Sequence, residues 1–482
     1  MTRRRSRGAL MGLSVAGLLA ALLAAGVIVF ASPLARSTGL RTAGRQPSTI
    51  APSLFAPPTP STAPEQQSGD GVVDEPEPVT PRATLAGSAL QRQLSAIKPQ
   101  HGGRSSIVVI DHASGTVLAN QGGQQLMLPA SNLKTLVTMA VLEKLGPGHR
   151  FTTSVVQTSP GTIVLVGGGD PYLGTVHNPT RPTATSTLEL ATLTAAALKQ
   201  AGVTSVSLGY DDTLFSGPDW HPSWPAGYSD QVARISSLSL DAGRTVDQDG
   251  VRVPGTGLSQ QPAAETATRF AQQLRAAGIT ITGKVGRRAV GEKPATELAA
   301  VQSMPLIDIA TEVMVHSDNF GAEVLFRQLA LAAGQPGSFA GASSALQHAL
   351  TADGLWTKGA VTTDGSGLSR DNRVTALMLA SAWQKISRND SLKGLLVSTP
   401  VAGVSGTLAD RFRTDSGAAV GRGWVHAKTG TLTGVSTLSG WTVSTDGQPL
   451  ILAIMVNDST NDWFARLWID QVASAATGCG CR

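Results

Sequence analysis

The spacing of apolar residues changes along the chain, and each spacing predicts a different kind of element. Apolar residues three and four positions apart predict a helix near residues 85–97 and another at Ser131–Leu145, which Gly146 ends. Long amphipathic helices return after Pro305, and a last helix begins near Trp463. Apolar runs of strand length occur at 106–110, 116–118, 162–166, 424–428, 436–443 and 450–456.

Two segments differ from these elements in composition or in the length of their predicted elements. Residues 32–83 contain 10 of the 27 prolines, with Ser, Thr, Gln and acidic residues between them, and this composition predicts an extended linker without a core. From residue 151 to about residue 300, short strands alternate with Gly and Pro turns and with two helical stretches near 188–201 and 263–277. We therefore place domain boundaries near 84, 151 and 300.

The N-terminus carries an export signal. Residues 9–31 are uncharged and mostly apolar, and they follow a cluster of four arginines within the first seven residues. A run of this length can span a bilayer with some tilt, and a basic start keeps the N-terminus in the cytoplasm. Two interpretations remain open for residues 1–31, a membrane-embedded signal anchor and a cleaved signal peptide. Both predict that the rest of the chain is extracytoplasmic, either membrane-anchored or secreted to the cell wall or periplasm.

Composition excludes several classes of protein. The formal charge of +5 comes almost entirely from the four N-terminal arginines, and the remaining 34 basic residues nearly balance 33 acidic ones. No basic excess is left for a nucleic-acid surface, so we expect no nucleic-acid partner. The eight His residues are scattered and the two cysteines, Cys479 and Cys481, stand at the C-terminus. We therefore expect no metal, no cofactor and no disulfide framework within the body of the protein.

The first candidate for chemistry is Ser131-Asn132-Leu133-Lys134, at the start of a predicted helix. Residues three apart on a helix share one face, so the Lys134 amine can reach the Ser131 hydroxyl. A serine is a poor nucleophile until a base removes its proton, and lysine is such a base only when its pKa is lowered. The helix start also directs backbone N–H groups towards a developing oxyanion. Alone, this motif is common on ordinary helices.

The second and third candidates are equally short. Ser317-Asp318-Asn319 interrupts an apolar helical pattern, which predicts a turn between helices; Ser317 could relay a proton and Asn319 could bind a substrate amide. Lys428-Thr429-Gly430-Thr431 continues a strand-like run, and a glycine in a strand often marks the close approach of a ligand. Lys428 would supply a cation for an anionic substrate group, with Thr429 beside it, and would lower the pKa of Lys134.

Together, the S-x-x-K, S-D-N and K-T-G motifs occur in the order found in serine β-lactamases and penicillin-binding proteins. Over about residues 84–460 the chain resembles the D-alanyl-D-alanine carboxypeptidase/endopeptidase family of the penicillin-binding protein 4 type, a class C low-molecular-mass penicillin-binding protein. Besides the three motifs, the resemblance rests on Leu128–Lys134, Gly167–Pro171, Tyr210–Asp212, Asp364–Arg373, Val401–Leu408 and Ala427–Gly434.

The resemblance implies an α+β fold of the serine β-lactamase and DD-peptidase type. Such a fold has an antiparallel sheet flanked by helices and an all-helical lobe. It also implies that the catalytic domain is split into residues 84–150 and 301–482, and that residues 151–300 form an inserted, non-catalytic, β-containing region.

The resemblance also implies the reaction. Ser131 would attack the penultimate D-Ala carbonyl of a peptidoglycan stem peptide, and Lys134 would accept its proton. Ser317 and Lys428 would pass a proton to the departing D-Ala, and backbone N–H groups of Ser131 and Thr431 would form the oxyanion hole. Cleavage of cross-bridges would make the protein an endopeptidase as well, and β-lactams would be covalent inhibitors.

Two other functions fit the same motifs. A β-lactamase or esterase of the same fold would use the same serine and lysine, although the long insert argues against a compact β-lactamase. A wall-binding protein with a silent site would keep the fold without the reaction, although all three motifs are intact. Nitrocefin turnover and labelling by a fluorescent penicillin separate these functions from a carboxypeptidase.

Overall fold

The computed structural model describes residues 87–254, 256–291 and 295–480. The predicted N-terminal anchor or signal peptide, the linker and Cys481 lie outside these residues. Within them the helices are α1 (Gly87–Ala96), α2 (Leu133–Leu145), α3 (Thr187–Gln200), α4 (Pro262–Ala276), α5 (Leu306–His316), α6 (Asn319–Ala332), α7 (Phe339–Ala352), α8 (Ala376–Arg388), α9 (Gly394–Val397) and α10 (Asp462–Thr477). The strands are β1 (Arg104–Asp111), β2 (Val117–Gln121), β3 (Thr152–Ser159), β4 (Thr162–Val166), β5 (Ser205–Asp211), β6 (Thr280–Arg287), β7 (Thr296–Gln302), β8 (His426–Leu432), β9 (Val435–Val443) and β10 (Pro449–Asn457). In the described part of the chain, every helix lacks the combination of length and apolarity that a bilayer crossing requires.

The first sheet joins the two ends of the described chain. Its strand order is β2-β1-β10-β9-β8, and every pair is antiparallel. Alternate residues of a strand point to opposite faces, so Ile107 and Val109 pack with α1 and α10 on one side. Val108 and Ile110 pack with the helical lobe on the other side. Strand β8, which carries the third motif, is an edge strand and so leaves one side open to the active-site cleft.

The helical lobe surrounds α2. The sequence suggested a helix with one apolar face, but every residue from Leu133 to Leu142 is buried, including Lys134, Thr135 and Thr138. Helices α5, α6, α7 and α8 all pack against α2, so no side of it faces solvent over these residues. The two threonines tolerate burial as hydroxyl-bearing residues of a helix interior, and the Thr138 hydroxyl donates to the Lys134 carbonyl at 2.7 Å. Lys134 is therefore held at the centre of the lobe.

Residues 152–302 build a second sheet, with the order β6-β5-β4-β3-β7. Strands β4, β5 and β6 are parallel, and α3 and α4 form the crossovers between them. These two helices cover the sheet and share a core with it that includes Leu190, Phe270 and Ile163. The short-strand texture predicted strands here, but the parallel βαβ arrangement was not predicted.

The C-terminal end of the described chain is ordered against the first sheet. Helix α10 runs along strands β9 and β10, and Cys479 beyond it is fully buried and is not a free thiol.

Candidate active site

The predicted nucleophile lies where α2 begins. Ser131 sits in a single 3-10 turn, Ala130–Asn132, and α2 continues from Leu133 without a break. The Lys134 Nζ donates to the Ser131 Oγ at 2.9 Å, to the Asn319 Oδ1 at 2.8 Å and to the Ser366 carbonyl at 2.7 Å. A neutral amine has two hydrogens and one lone pair. It can keep the two carbonyl oxygens as acceptors while its lone pair faces the serine hydroxyl.

Burial sets the protonation of this amine. The Lys134 side chain is fully buried, and burial lowers its pKa to about 8, against the opposing effect of the carboxylates of Glu323, Asp364 and Asp318. At pH 7 roughly a tenth of the molecules therefore carry a neutral lysine ready to act as a base. The sequence analysis expected Lys428 to contribute to this lowering, and burial is the main cause of it.

Two glycines, Gly367 and Gly430, lie against the turn that carries Ser131. Ala130, directly before Ser131, has a left-handed conformation with φ of 46°. A Cβ on Gly367 would lie 1.9 Å from the Ala130 carbonyl oxygen, and a Cβ on Gly430 would lie 2.7 Å from the Pro129 carbonyl oxygen. Only glycine allows the backbone of the 364–367 loop and that of β8 to approach so closely. The motif glycine of β8 thus lies against the nucleophile turn.

The second motif forms the predicted turn between α5 and α6. Ser317 ends α5 in a left-handed conformation, with φ of 55°, a state that costs a non-glycine residue about 1 kcal/mol. Asp318 caps α6 by accepting from the Gly321 N–H at 2.7 Å. The turn directs the Ser317 hydroxyl to the Lys428 Nζ, at 2.8 Å, and places the Asn319 amide beside Lys134.

Lys428 is buried more completely than its predicted role requires. Its ammonium donates to Ser317 and, at 2.7 Å, to the Thr429 carbonyl. Burial lowers its pKa well below the usual lysine value, and the charge of Lys134 adds to this effect. In this geometry the Lys428 ammonium contacts Ser317 and does not line the cleft. A substrate carboxylate would lie in the cleft. The residues of the third motif that line the cleft are Thr429 and Thr431.

A cleft of about 600 Å³ joins the three motifs. Five of the predicted site residues line it: Ser131, Ser317, Asn319, Thr429 and Thr431. Two arginines that the sequence analysis missed, Arg411 and Arg466, also line it, and Arg411 is paired with Asp470.

The insert reaches the same cleft. Gly227, Tyr228, Asp230 and Gln231 line it, and the Gln231 carbonyl accepts from the Asn319 Nδ2 at 2.9 Å.

Two more bonds join the insert to the catalytic loops. The Arg244 guanidinium pairs with Asp318 at 3.2 Å, and the Trp224 indole donates to Asp364 at 2.8 Å. Nothing in the local pattern of residues 224–244 indicates these contacts, because they are made by loop residues with partners more than 70 positions away. Although the region carries none of the three motifs, it forms part of the cleft wall.

Two residues close to the motifs, His426 and Asp364, take structural positions. His426 stacks on Trp441 with ring centroids 4.1 Å apart, and burial lowers its pKa, so it packs between neighbouring strands. Asp364 accepts from the backbone N–H groups of Gly367 and Ser369 at 3.1 and 2.6 Å, and so closes its own loop. Among the described residues, no cluster of three or more His, Cys, Asp or Glu side chains is arranged to hold a metal ion.

Comparison with known proteins adds independent observations. The D-Ala-D-Ala carboxypeptidase 3 (S13) family model matches residues 89–255 and 246–477. Carboxypeptidase DacB of Mycolicibacterium smegmatis is 34% identical over 380 residues, which cover 77% of this chain and 80% of that protein. A D-alanyl-D-alanine carboxypeptidase of an Actinomadura species is 30% identical over 428 residues, covering 72% and 76%.

A solved structure shows the fold. The crystal structure of penicillin binding protein 4 (dacB) from Haemophilus influenzae aligns with a TM-score of 0.65 at 22% identity, and the match covers 81% of this chain and 98% of that one. The predicted fold class is therefore confirmed: an antiparallel sheet with a helical lobe and a β-containing region between its halves.

Proposed function

Since the chain belongs to the D-Ala-D-Ala carboxypeptidase 3 (S13) family and is a serine-type, penicillin-binding carboxypeptidase, we propose that it cleaves peptidoglycan stem peptides through an acyl-enzyme on Ser131. The observation that carries this assignment is the 2.9 Å hydrogen bond between the Lys134 Nζ and the Ser131 Oγ, with the lysine fully buried. A lysine of lowered pKa in contact with a serine is the arrangement that nucleophilic catalysis requires.

Acylation begins when neutral Lys134 accepts the Ser131 proton. The serine oxygen adds to the penultimate D-Ala carbonyl, and the negative charge moves to the carbonyl oxygen. Backbone N–H groups of Ser131 and Thr431 stabilise this oxyanion, because both residues border the cleft at the start of α2 and on the edge strand β8. Asn319, which accepts from the same lysine, binds a substrate amide with its side chain.

The leaving amine needs a proton before the C–N bond breaks. Ser317 donates its hydroxyl proton to this amine and takes another from Lys428, to which it is bonded at 2.8 Å. The C-terminal D-Ala then departs with a neutral amine, and the acyl group stays on Ser131. Lys134 passes on the proton that it took from Ser131, which replaces the proton lost by the Ser317–Lys428 pair, so Lys134 is neutral again. Water then attacks the ester: Lys134 accepts the water proton and returns it to the Ser131 oxygen, and the shortened peptide is released.

The departing D-Ala carries a carboxylate, which needs donors or a cation. The Thr429 hydroxyl lines the cleft and contacts the Thr407 hydroxyl at 2.6 Å, so one of the two hydroxyls can donate to a carboxylate oxygen. The sequence analysis assigned the cation to Lys428, and the structure adds Arg411 and Arg466 on the cleft lining.

Penicillin labelling tests the assignment. The full chain should gain one covalent penicillin per molecule, on the peptide that contains Ser131, and purified muropeptides should lose their terminal D-Ala. Ser131→Ala should show neither reaction, with a thermal transition close to that of the wild type. Labelling that persists in Ser131→Ala would show that another residue is the nucleophile. Conversion of cross-linked dimers to monomers in the same digest would add endopeptidase activity.

We propose that the enzyme works outside the cytoplasm, at the cell wall, because residues 9–31 form a long uncharged apolar run behind four arginines. N-terminal sequencing of the protein from membrane and soluble fractions of its host tests this. Intact residues 1–31 in the membrane fraction would establish an anchor. A start after residue 31 in the soluble fraction would establish a cleaved signal peptide. A full-length chain confined to the cytosol would refute export.

A further inference from the structure

The proposed reaction leaves one fully buried carboxyl group without a role. Glu323 lies one helical turn after Asn319 on α6, so the two side chains share a face of that helix. Its side chain has no exposed surface. A carboxylate taken out of water is destabilising unless hydrogen bonds or a cation compensate it. The hydrogen-bond partners of Glu323 therefore indicate what its side chain does in the site.

These partners are backbone N–H groups of the 364–367 loop. The Glu323 Oε1 accepts from the Ser366 N–H at 2.7 Å and from the Gly365 N–H at 3.0 Å, and the Oε2 also accepts from Gly365 at 3.0 Å. The nearby cation on the same helix, Arg327, donates instead to the carbonyls of Ser216, Pro218 and Gly337. The Glu323 carboxyl group therefore forms these hydrogen bonds with a single segment, the 364–367 loop.

That segment also contacts the catalytic lysine. The Ser366 carbonyl accepts from the Lys134 Nζ at 2.7 Å, the shortest of the three bonds of this amine. The loop has little room to move, because a Cβ on Gly365 would lie 2.5 Å from the Phe326 Cβ, and the next glycine, Gly367, already touches the serine turn. Glu323, the loop and Lys134 therefore form a continuous chain of hydrogen bonds.

We propose that Glu323 is a positioning residue for the catalytic base: by accepting the N–H groups of Gly365 and Ser366, it places the Ser366 carbonyl that holds Lys134 against Ser131. The inference rests on the proposed role of Lys134 as the base. Glu323 touches neither substrate nor reacting atoms, so it acts only through the loop and through its charge.

The charge of Glu323 predicts a signature in the pH profile. Lys134 faces three carboxyl groups, those of Glu323, Asp364 and Asp318, and one other lysine, Lys428. An ionised Glu323 raises the pKa of Lys134 against the effect of burial. Its own pKa is raised to about 8 by burial and by Asp364, so Glu323 is ionised in about half of the molecules at the pH where Lys134 titrates. Removing this carboxylate should therefore lower the pKa of Lys134 in those molecules and move the acid limb of acylation slightly to lower pH.

Three variants of the full-length protein separate position from charge. Glu323→Gln removes the charge and offers one carbonyl oxygen to two N–H donors, so the maximal acylation rate should fall tenfold or more and the acid limb should move to lower pH. Glu323→Asp keeps the charge on a shorter side chain, so the rate should fall while the acid limb stays in place. The control is Asp170→Asn, because Asp170 is also a fully buried carboxyl with a raised pKa, but belongs to the insert and does not face Lys134.

Stopped-flow acylation by a fluorescent penicillin between pH 5 and 10 measures both quantities. A partly unfolded variant lowers the amplitude of labelling but not the rate constant of the folded molecules, so instability does not mimic the effect. If Glu323→Gln and Glu323→Asp both match Asp170→Asn in maximal rate and in acid limb, Glu323 does not position the base. Lys134→Met is measured alongside: if it acylates at the wild-type rate, the proposed function fails, whereas a silent Glu323 with an inactive Lys134→Met overturns only the present inference.

Discussion

Lys134 and Lys428 are both fully buried, and each donates a hydrogen bond to a serine, yet their surroundings differ. Three carboxyl groups, on α6, in the turn before it and in the 364–367 loop, favour the charged form of Lys134, and its pKa stays at about 8. Among the described residues, the charged group that acts on Lys428 is Lys134 itself, and together with burial it lowers the pKa of Lys428 well below the usual lysine value.

Because their surroundings differ, the two lysines have different roles on the two sides of the cleft. On the helical side, Lys134 can change its charge close to neutral pH, as a base that takes and returns a proton must. On the strand side, Lys428 is poorly suited to remain a permanent cation, because burial and the charge of Lys134 both lower its pKa. A lysine in a motif therefore does not fix its own protonation: burial lowers the pKa of Lys134, and the carboxylates around it oppose that effect.

The largest expected effect tests the helical side. Lys134→Met removes the base while keeping the volume of the side chain, and general-base catalysis contributes about 10²–10⁴ in rate. We expect penicillin acylation to slow by about that factor, measured by stopped flow. A variant that loses less than tenfold would mean that another group accepts the Ser131 proton and that the comparison assigns the base to the wrong lysine.

The next effect tests the strand side. Lys428→Met should slow acylation by about 10²–10³, because Ser317 loses the lysine that returns its proton and acid–base catalysis contributes about 10²–10⁴ in rate. Because Lys428 contacts Ser317 and not the cleft, we expect amidation of the terminal D-Ala carboxylate to slow the wild type and Lys428→Met by equal factors. A smaller effect of amidation in the variant would couple the two changes and show that Lys428 binds the carboxylate after all.

Titration gives a third test, of about 50-fold. The wild-type acylation rate should have an acid limb near pH 8, because below this value the Lys134 amine is protonated and, well below it, the active fraction falls about tenfold per pH unit. Half of the molecules have a neutral Lys134 at pH 8 and about one in a hundred at pH 6, so the rate constant should fall about 50-fold between these values. Lys428→Met should keep a clear acid limb, since Lys134 remains. A flat profile from pH 6 to 9 would contradict a lysine base with this pKa.

A smaller effect is expected from the insert. Arg244 pairs with Asp318, whose carboxylate favours the charged form of Lys134, and this pair is 34% and 7% exposed. Arg244→Gln should loosen the turn between α5 and α6 and slow acylation several-fold, up to about tenfold. Arg244→Lys should restore part of the rate.

A matched control is available on the same insert. Arg234 pairs with Asp219 at 2.9 Å on the surface, with both side chains more than a third exposed, and exposed pairs contribute about 0–1 kcal/mol. Arg234→Gln should therefore leave the acylation rate unchanged. Equal rates for Arg244→Gln and Arg234→Gln would mean that the turn does not depend on the insert.

The smallest effect concerns the N-terminus. Removal of residues 1–83 should change the acylation rate less than about twofold, because the residues that line the described cleft lie between Ser131 and Arg466 and a Pro-rich linker contributes no core. Rates of the full chain and of residues 84–482 are compared with the same penicillin. A soluble but inactive product would show that residues 1–83 support the site.

The sequence was most informative where short motifs coincide with regular elements. The serine, the turn and the strand were predicted at their observed places because helix periodicity, a polar interruption and an apolar run are local signals. The support around them was not predicted. Gln231, Arg244 and Glu323 act through partners far along the chain, and Ser366 acts through a backbone carbonyl that any residue has.

The extent of burial was the other property that the spacing of apolar residues did not predict. The apolar spacing of α2 suggested one packed face, whereas α5 to α8 surround it completely. The pKa of Lys134 depends on that enclosure, so the chemistry of the motif follows from helices up to about 250 residues away in sequence.

The turn at Ser317 contacts the insert, so the geometry of the active site depends on a region that carries none of the three motifs. Asn319 and Asp318 are both bonded to residues of the insert, and Asp364 accepts from Trp224. A chain whose first 150 residues have emerged already contains the nucleophile and its base, but it lacks the 151–300 region and the second and third motifs. The turn that carries Ser317 and Asn319 is also bonded to the insert, so the site takes its described geometry only when the insert is folded against that turn.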